Sequence, residues 1–530
     1  MMRILVRPAL ARCAARLALL GAVVLLAACG GLPIAKQMEP TLSRPVDPTT
    51  PLAKIVQAST PPGEHSGFRL MPLGVYSLDA RIELARRAQR TIDVQYYVLA
   101  NDGAGGLLLR TLKEAALRGV RVRLLVDDLY TVDTDQMLLA LTATPNVEVR
   151  LFNPFCCARG SLAGRFAASA FDVQRLNHRM HNKLFIADGV MAVAGGRNIA
   201  DEYFTLNSAQ NFIDMDALVV GKVIRELEVI FDLYWNSEEV YPIAAIVQPY
   251  AGKTAMDSDF DARVGMGAPP PKVVLPPADV LGYGPIGEEF DAGQVGFLWG
   301  QAAAVADPPA KLRYMTADEA FSTSVTAHFW QQLLRAENDV VLTSPYMVPG
   351  ERGMEGFKEL REWGVNVTLL TNSLAANDEP LVHSGYARYR KRLLELGVDL
   401  YELSPERTTR NKRLGIFGSS LGRLHAKTAV VDKRRVFIGS VNLDPRSATQ
   451  NTELGISVDS PQLAREMLRI INISKLESAY RVRLDGSRGR LEWLSMDDEK
   501  ELILYDEPES TWRQRFYINL FGPLVPEGLL

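Results

Sequence analysis

The sequence predicts an α/β fold made of two tandem domains, arranged as a pseudo-twofold bilobal body with mixed sheets flanked by helices. Two observations support this prediction. Segments rich in β-branched and aromatic residues alternate with helix-like segments, which is typical of α/β layers. The same series of segments then occurs a second time, after a Pro- and Gly-rich break at 251–295.

Each predicted strand of the first half has a counterpart in the second half. The stretch NDGAGG at 101–106 lacks the spacing of a phosphate-binding loop, so it indicates the start of a helix. The matched strand segments are TIDVQYYV (91–98) with VVLTSPYM (340–347), GVRVRLLVDD (119–128) with GVNVTLLTNS (364–373), and VEVRLFN (147–153) with VDLYELS (398–404).

The N-terminus predicts a lipoprotein-type signal peptide over residues 1–28. Arginines precede the apolar run LALLGAVVLLAA at 17–28, which is short for a membrane span but typical of a signal peptide. The run ends in LAAC, so we expect cleavage before Cys29 and a lipid anchor on that cysteine; an uncleaved apolar anchor is the alternative. The expected location is the bacterial cell envelope, facing the periplasm, on either the inner or the outer membrane.

Composition shifts divide the rest of the chain. In the C-terminal part, WRQRFYINLFGPLV at 512–525 interleaves arginines with aromatic residues, which suits either a bilayer headgroup region or packing on the body. The predicted segments are a Pro-rich tether over 29–66, a first domain over 67–250, an inter-domain segment over 251–295, a second domain over 296–485 and a C-terminal, membrane-contacting segment over 486–530.

The charge and the cysteines exclude some classes of protein. The net charge of -3 gives no global attraction to nucleic acid, and no nucleic acid partner is expected. The adjacent Cys156 and Cys157 cannot staple a domain, so the fold does not depend on disulfides. We expect them to be small packing residues in a loop, with a vicinal disulfide as the alternative.

A longer pattern, H-x-K-x4-D-x6-G-[GS]-x-N, occurs once in each half. Its two copies are HNKLFIADGVMAVAGGRN at 181–198 and HAKTAVVDKRRVFIGSVN at 425–442. The chain has six histidines, and a single match could arise by chance as the polar end of a strand. Two extended matches at equivalent places of a repeat favour two halves of one site.

The residue types of this pattern suit an anionic phosphoryl centre. We expect each motif to begin a strand, so that its His and Lys share a sheet face. Imidazole can attack phosphorus or carry a proton, while lysine and asparagine stabilise the phosphoryl oxygens. Two such sets together supply a nucleophile and an acid. The candidate catalytic residues are His181, Lys183, Asn198, His425, Lys427 and Asn442.

Neighbouring polar residues receive weaker predictions. Asp188 and Asp432 follow each strand, and we expect them to support the hairpin turns through hydrogen bonds rather than to transfer protons. His178 has no counterpart in the second copy and is not a candidate. Arg179 and Arg423 precede the two histidines equivalently, and either charge in a phosphate pocket or a solvated side chain fits them.

These residues resemble the phospholipase D superfamily, which is marked by a pair of H-x-K-x4-D motifs followed by G-[GS]-x-N. The sequences around the two motifs are similar to its cardiolipin synthase C-like branch. They are RMHNKLFIADG with GGRNIADEYF, and LHAKTAVVD with GSVNLDPRSATQNTELG. The resemblance extends from about residue 68 to the C-terminus and implies two phospholipase D-like domains. It also implies a two-step phosphatidyl transfer through a phosphatidyl-histidine, with no metal and no cofactor.

The resemblance also implies roles for individual residues. It makes His181 the nucleophile and His425 the general acid and then base, although the near symmetry of the halves does not rank them. In the family an acidic residue beyond each motif orients the histidine ring. Glu453 in NTELG fits that role, and we expect Asp216 in DMDALVV to be its counterpart. Ser440 offers a supporting hydroxyl, which the first motif lacks because it has glycine there.

The implied activity is cardiolipin synthesis at a membrane surface. Phosphatidylglycerol would accept the phosphatidyl group, and phosphatidylethanolamine or a second phosphatidylglycerol would donate it. The sequence specifies no protein partner. The alternatives are a phospholipase D that hydrolyses phospholipids to phosphatidic acid, another phosphodiesterase or nuclease, and a non-catalytic lipid-binding lipoprotein.

Overall fold

The computed structural model describes residues 32, 38–63, 65–312, 315–410, 420–486, 489–497 and 500–529. The predicted signal peptide and Cys29 lie outside these residues. Within the described ranges, no helix combines the length and the apolar character needed to cross a membrane.

The strands form two series that match in order, one in each half. The first series is β1 (Ser66–Met71), β2 (Thr91–Tyr96), β3 (Arg121–Asp127), β4 (Val147–Phe152), β5 (Arg179–Met180), β6 (Leu184–Ala187), β7 (Met191–Gly195), β8 (Gln210–Ile213), β9 (Asp216–Gly221) and β10 (Val240–Pro242). The second series is β11 (Leu298–Ala306), β12 (Asp339–Thr343), β13 (Asn366–Asn372), β14 (Asp399–Leu403), β15 (Leu421–Leu424), β16 (Thr428–Val431), β17 (Arg435–Gly439), β18 (Asn451–Thr452), β19 (Leu454–Asp459), β20 (Ala479–Leu484), β21 (Leu491–Asp497) and β22 (Lys500–Leu504).

The pairing of these strands confirms the predicted α/β repeat. Each half has three parallel strands, β2 to β4 and β12 to β14, flanked by antiparallel strands. Strand β11 pairs with β1 and then with β19, which joins the halves. The resulting order is β10-β4-β3-β2-β6-β7-β9-β1-β11-β19-β17-β16-β12-β13-β14-β20-β21-β22.

Helices cover the sheets, and one apolar core is shared between the halves. That shared core includes Leu184 and Ala192 of the first half and Leu424 and Ile456 of the second half. The helices are α1 (Pro51–Ser59), α2 (Gly74–Arg87), α3 (Gly103–Leu117), α4 (Asp135–Leu141), α5 (Leu162–Ala168), α6 (Val173–Leu176), α7 (Val223–Trp235), α8 (Ile243–Ile246), α9 (Lys253–Val264), α10 (Ile286–Asp291), α11 (Ala317–Ser322), α12 (Val325–Leu333), α13 (Gly350–Glu362), α14 (Pro380–Glu395), α15 (Pro405–Arg410), α16 (Pro445–Thr449), α17 (Pro461–Glu477) and α18 (Trp512–Phe521).

The tether predicted over 29–66 is wrong for most of its length, because residues from 38 onward pack on the first half. The Trp235 indole N–H donates to the Thr41 hydroxyl at 2.8 Å, and the Arg123 guanidinium donates to the Thr41 carbonyl at 2.9 Å. Helix α1 then buries Leu52 completely. Proline in this segment starts a helix rather than extending a linker, since its fixed φ suits the first helical turn.

The break predicted at 251–295 is also more structured than its composition suggests. It contains α9 and α10, and Phe260 of α9 is fully buried in the core of the first half. The Lys113 ammonium donates to Asp257 at 2.8 Å, which fixes α9 against α3. The segment therefore extends the first half instead of only separating the two.

Cys156 and Cys157 are joined in a vicinal disulfide. The prediction that they are unbonded packing residues is therefore wrong, and the alternative given by the sequence applies. They lie in the connection that follows β4.

Candidate active site

Two short parallel strand pairs cross the boundary between the halves and carry the histidines. Strand β5 pairs with β18, and β15 pairs with β8. The His181 N–H donates to the Thr452 carbonyl, and the His425 N–H donates to the Ile213 carbonyl, both at 2.8 Å. The regular strands begin only after the motif lysines, at Leu184 and Thr428, so the expectation that each motif begins a strand is wrong by three residues.

Each histidine is oriented by a carboxylate from the other half. His181 Nδ1 lies 2.9 Å from Glu453 Oε2, and His425 Nδ1 lies 2.6 Å from Asp214 Oδ2. A carboxylate accepts a hydrogen bond from Nδ1–H of a neutral imidazole. The tautomer favoured by both contacts therefore leaves a lone pair on Nε2 of each ring.

The acidic partner in the first half is Asp214, so the prediction of Asp216 is wrong. Asp216 is buried two residues further on, where it accepts hydrogen bonds from Ser77 at 2.6 Å and Arg81 at 2.9 Å. Its role is to hold helix α2 and strand β9 together. Both aspartates occur in one DMD stretch, and the residue type alone does not separate them.

The register of the strands gives the correct correspondence. Gly195 pairs with Asp216 in the first half, while Gly439 pairs with Gly455 in the second half. Asp216 is therefore equivalent to Gly455, and Asp214, two residues earlier, is equivalent to Glu453.

The residue that follows each hairpin glycine differs between the halves, and this difference changes the surroundings of the carboxylate. Ser440 donates its hydroxyl to Glu453, and its N–H donates to the Leu454 carbonyl at 2.9 Å. At the equivalent Gly196, an added Cβ would lie 2.1 Å from Asp214 Oδ1. The first motif lacks a serine hydroxyl because the shorter aspartate places its carboxylate in that space.

Burial controls the protonation of both pairs. It lowers the pKa of His181 to about 4, against the opposing effect of Glu453. Burial and the nearby Lys427 likewise lower the pKa of His425. Burial favours the neutral form of the two acids, but the hydrogen bond from each histidine and the charge of a nearby lysine outweigh it, so the pKa values of Asp214 and Glu453 are lowered. The unliganded site therefore favours neutral imidazoles and ionised carboxylates.

The two lysines lie deeper than the histidines. The ammonium groups of Lys183 and Lys427 donate to the carbonyls of His181 and His425 in their own motifs. Burial lowers the pKa of Lys183 well below its usual value and that of Lys427 to about 8. A bound anion would favour the charged form of both lysines.

The two asparagines differ in their engagement. Asn198 donates to the Tyr203 hydroxyl at 2.9 Å and accepts from the Val98 N–H at 3.3 Å. The Asn442 side-chain oxygen is buried and has no hydrogen-bond partner in the part of the chain that is described. The oxygen of Asn442 is therefore unpaired within that part of the chain, whereas it is the N–H₂ group of the carboxamide that would donate to a phosphoryl oxygen.

Asp188 and Asp432 have the structural role that the sequence indicates. Most of their partners lie outside the hairpins, although Asp432 also accepts a hydrogen bond from Arg435 of the hairpin strand β17 at 3.1 Å. Asp188 accepts the N–H groups of residues 89–91 at 2.7–3.1 Å, where the chain enters β2. Asp432 does the same for residues 337–339, before β12. Both have φ of 52°, a conformation that aspartate tolerates better than most residues. They fasten each hairpin to the adjacent parallel strands.

Arg179 and His178 stay outside the chemistry. The Arg179 guanidinium is buried and pairs with Asp127 at 2.9 Å, so its charge is already compensated. His178 Nδ1 lies 3.1 Å from the Gln450 carbonyl oxygen. Both residues connect the strand β5 region to its surroundings.

Both histidines line one cavity of about 530 Å³ at the carboxyl edge of the parallel strands. Tyr97 packs edge-on against His181 and Tyr203 against His425, with centroid distances of 5.0 and 5.1 Å. These tyrosines were not predicted from the sequence, because no residue spacing identifies a tyrosine that packs against a histidine ring. Other lining residues are Tyr130, Glu202, Phe212, Tyr346, Asp378, Glu379, Val382, Asp444, Arg446 and Asn451.

The amino-acid sequence matches known proteins over most of its length. A family model described as "Cardiolipin synthase, PLD-like domain" matches residues 82–235 and 329–473, one segment in each half. Cardiolipin synthase C of Escherichia coli (strain K12) is 37% identical over 461 residues, covering 86% of this chain and 94% of that protein. An uncharacterized protein of Helicobacter pylori (strain J99) is 32% identical over 88% of this chain and 89% of its own.

A solved structure shares the fold. The phosphatidylserine synthase of Haemophilus influenzae Rd KW20 superposes with a TM-score of 0.56 at 15% identity, covering 87% of this chain and 95% of that one. The two segments that match the family model each contain one His-x-Lys motif, which agrees with the paired geometry of the site. The chain therefore belongs to the phospholipase D superfamily, in its cardiolipin synthase-like branch.

Proposed function

We propose that this protein is a cardiolipin synthase, which transfers a phosphatidyl group to phosphatidylglycerol through a phosphatidyl-histidine. One observation carries the proposal. Two histidines, each held by a carboxylate, line one cavity, so a nucleophile and a proton carrier can act on a single phosphorus. The identity to Escherichia coli cardiolipin synthase C supports the choice of reaction.

The first step breaks the bond between phosphorus and the donor headgroup. Neutral His181 attacks phosphorus through Nε2, with Glu453 holding its Nδ1–H. Protonated His425 gives its proton to the departing headgroup oxygen, and Asp214 stabilises the imidazolium. A bound phosphodiester carries a negative charge, which raises the pKa of His425 and supplies the protonated form that this step needs.

The second step forms the product. Neutral His425 takes the proton from the headgroup hydroxyl of phosphatidylglycerol while that oxygen attacks phosphorus. The bond between phosphorus and His181 breaks, and the enzyme returns to its starting protonation. Lys183, Lys427 and Asn442 stabilise the charge on the phosphoryl oxygens throughout.

Water in place of phosphatidylglycerol would give a hydrolase from the same site. The product would then be phosphatidic acid, and the enzyme would be a phospholipase D. The identity to a relative named cardiolipin synthase over 94% of that protein favours the transferase.

Product analysis tests the proposal. The purified protein is incubated with phosphatidylglycerol vesicles, with and without phosphatidylethanolamine, and the lipids are analysed by mass spectrometry. Cardiolipin supports the proposal, and phosphatidic acid as the main product replaces it with hydrolysis. Absence of turnover would favour a non-catalytic lipid-binding protein. An increase with phosphatidylethanolamine would identify that lipid as the phosphatidyl donor.

We also propose that the protein acts at a membrane surface of the cell envelope and faces the periplasm. The sequence around Cys29 supports a lipid anchor there. Metabolic labelling with a radioactive fatty acid tests it, because a Cys29→Ser variant should lose the label.

A further inference from the structure

Two exposed apolar patches lie near the candidate active-site cavity. The first apolar patch is formed by Leu162, Phe166, Phe171 and Val173, in and between α5 and α6. The second apolar patch is formed by Trp512, Phe516, Tyr517, Leu520, Phe521 and Leu524, at the C-terminus.

The second patch covers a broad face of one helix. Trp512, Phe516 and Leu520 recur at intervals of four along α18, and Tyr517 and Phe521 form a second row beside them. Ile518, on the other face, is the buried residue of the helix and contacts the body. The charged Arg513 lies between the two rows at helical spacing, with its guanidinium carbon 5.7 Å from the centre of the Trp512 ring. Aromatic residues beside an arginine are typical of a helix lying at the headgroup level of a bilayer.

The same C-terminal segment packs on a helix that forms part of the cavity wall. The Arg388 guanidinium of α14 donates to the Gly522 carbonyl at 2.6 Å. A Cβ added at Gly522 would approach the Ser384 Cβ to 2.7 Å, which shows how closely the two segments touch. Val382, on the opposite face of α14 from Ser384, lines the cavity. Helix α14 therefore packs between the cavity and the segment that carries the second patch.

The first patch is tied to the cavity wall through Arg446. Asn177 follows α6 directly, and its side-chain oxygen accepts from the Arg446 guanidinium at 2.8 Å. Its carbonyl accepts from the same guanidinium at 3.0 Å. Arg446 lines the cavity. The first patch, which belongs to the first half, thus adjoins a cavity residue of the second half.

We propose that the two apolar patches form one membrane-docking face, which places the cavity against the surface of a phospholipid bilayer. This inference rests on the proposed function, because a phospholipid substrate must pass from a bilayer into the cavity. The first patch follows the carboxyl end of β4. Glu509, just before the second patch, accepts a hydrogen bond from Ser404 at the carboxyl end of β14, so both patches adjoin the sheet edge that carries the cavity. One chain can then bury both patches in the same leaflet while the histidines face the headgroups.

Fluorescence quenching by lipids tests contact between Trp512 and a bilayer. The full-length protein is mixed with phosphatidylglycerol vesicles whose acyl chains carry bromine, which quenches tryptophan at short range. Trp512 is 67% exposed, and we expect Trp512→Phe to remove a large part of the lipid-dependent quenching. Trp363 is a matched control, since it is 55% exposed but precedes β13 at the amino edge of the parallel strands. Trp363→Phe should leave the quenching unchanged.

An added tryptophan tests whether the first patch contacts the same bilayer. Phe171 is 89% exposed, so Phe171→Trp should fold normally and should add quenching. Leu117 is 59% exposed at the end of α3, before β3, and Leu117→Trp should add none. Equal quenching at both positions, or at neither, would overturn the docking face.

A turnover measurement separates failure of this inference from failure of the proposed function. The double variant Phe516→Ser/Leu520→Ser should reduce cardiolipin formation on vesicles by about tenfold, because two apolar insertions are lost. With a dispersed short-chain phosphatidylglycerol, its rate should equal that of the unaltered protein. Equal loss in both assays contradicts the docking face. Absence of turnover in the unaltered protein refutes the function, while the quenching pattern still decides the docking. Absence of quenching together with a dimeric mass in solution would assign the patches to a second copy.

Discussion

The two histidine–carboxylate pairs reach the same geometry with different side chains. Around His181, a glutamate is steadied by the Ser440 hydroxyl. Around His425, a shorter aspartate fills the space that a serine side chain would need at Gly196. The length of the acid and the size of the residue after the hairpin glycine are therefore linked, because both side chains occupy the same space beside the imidazole.

The largest expected effect concerns the histidines themselves. We expect His181→Ala to lower cardiolipin formation by at least about 10⁴-fold and to abolish trapping of a phosphatidyl-enzyme, because the nucleophile is lost. His425→Ala should lower turnover as strongly but still form some trapped intermediate. Acid quenching followed by mass spectrometry of the protein measures the intermediate. Trapping that needs His425 and not His181 would reverse the two roles.

The next effect distinguishes Asp214 from Asp216. Asp214→Asn should lower kcat by about 10²- to 10⁴-fold, because an amide no longer fixes the productive tautomer or stabilises the imidazolium. Asp216→Asn should instead destabilise the fold by about 3 kcal/mol, because it leaves Arg81 buried without its charge partner. Kinetics and thermal unfolding of both variants provide the measurement. A kinetic defect confined to the Asp216 variant would restore the original assignment.

A smaller effect tests why the two pairs differ. Gly196→Ser should cost about 2 kcal/mol of stability and lower activity, since the new Cβ displaces the Asp214 carboxylate. Adding Asp214→Glu should recover part of both losses by recreating the arrangement found around Glu453. Denaturant unfolding and initial rates of the single and double variants measure the coupling. If the two changes are simply additive, the shared-volume explanation fails.

The smallest effect is a displaced pH profile. His181 must be neutral, and its pKa of about 4 places the acidic loss of kcat/KM well below pH 6. His425 must be protonated, and its lowered pKa places the alkaline loss below the usual histidine value of about 6.5. We expect a decline of kcat/KM of at least about tenfold between pH 5 and pH 8, measured at constant ionic strength. A profile that rises over this range would contradict the assigned protonation states.

Much of the fold followed from local sequence patterns. The β-branched segments at 91–98 and 340–347 did form strands, and the Asp102 carboxylate caps the helix predicted at NDGAGG by accepting the Gly105 N–H. The Pro-rich stretches at 29–66 and 251–295 were misjudged. A high proline content indicates only that the backbone is locally restricted. Whether α1 and α9 are buried depends on residues far away in the sequence.

The candidate site was predicted unevenly for a related reason. Its two motifs are local, so His181 and His425 could be found from spacing alone. The partner of each histidine lies in the other half, and only strand register decides between Asp214 and Asp216. The cavity tyrosines have no spacing rule and required the packed structure.

The exchange of carboxylates between the halves has an evolutionary consequence. In a symmetric dimer, any contact from one copy to the other is returned by the second copy. The pairs His181 with Glu453 and His425 with Asp214 follow this reciprocity inside a single chain, as expected of a duplicated ancestor whose two copies became fused. Neither half could then lose its catalytic residues without consequence, since loss of the acid in one half would impair the histidine of the other.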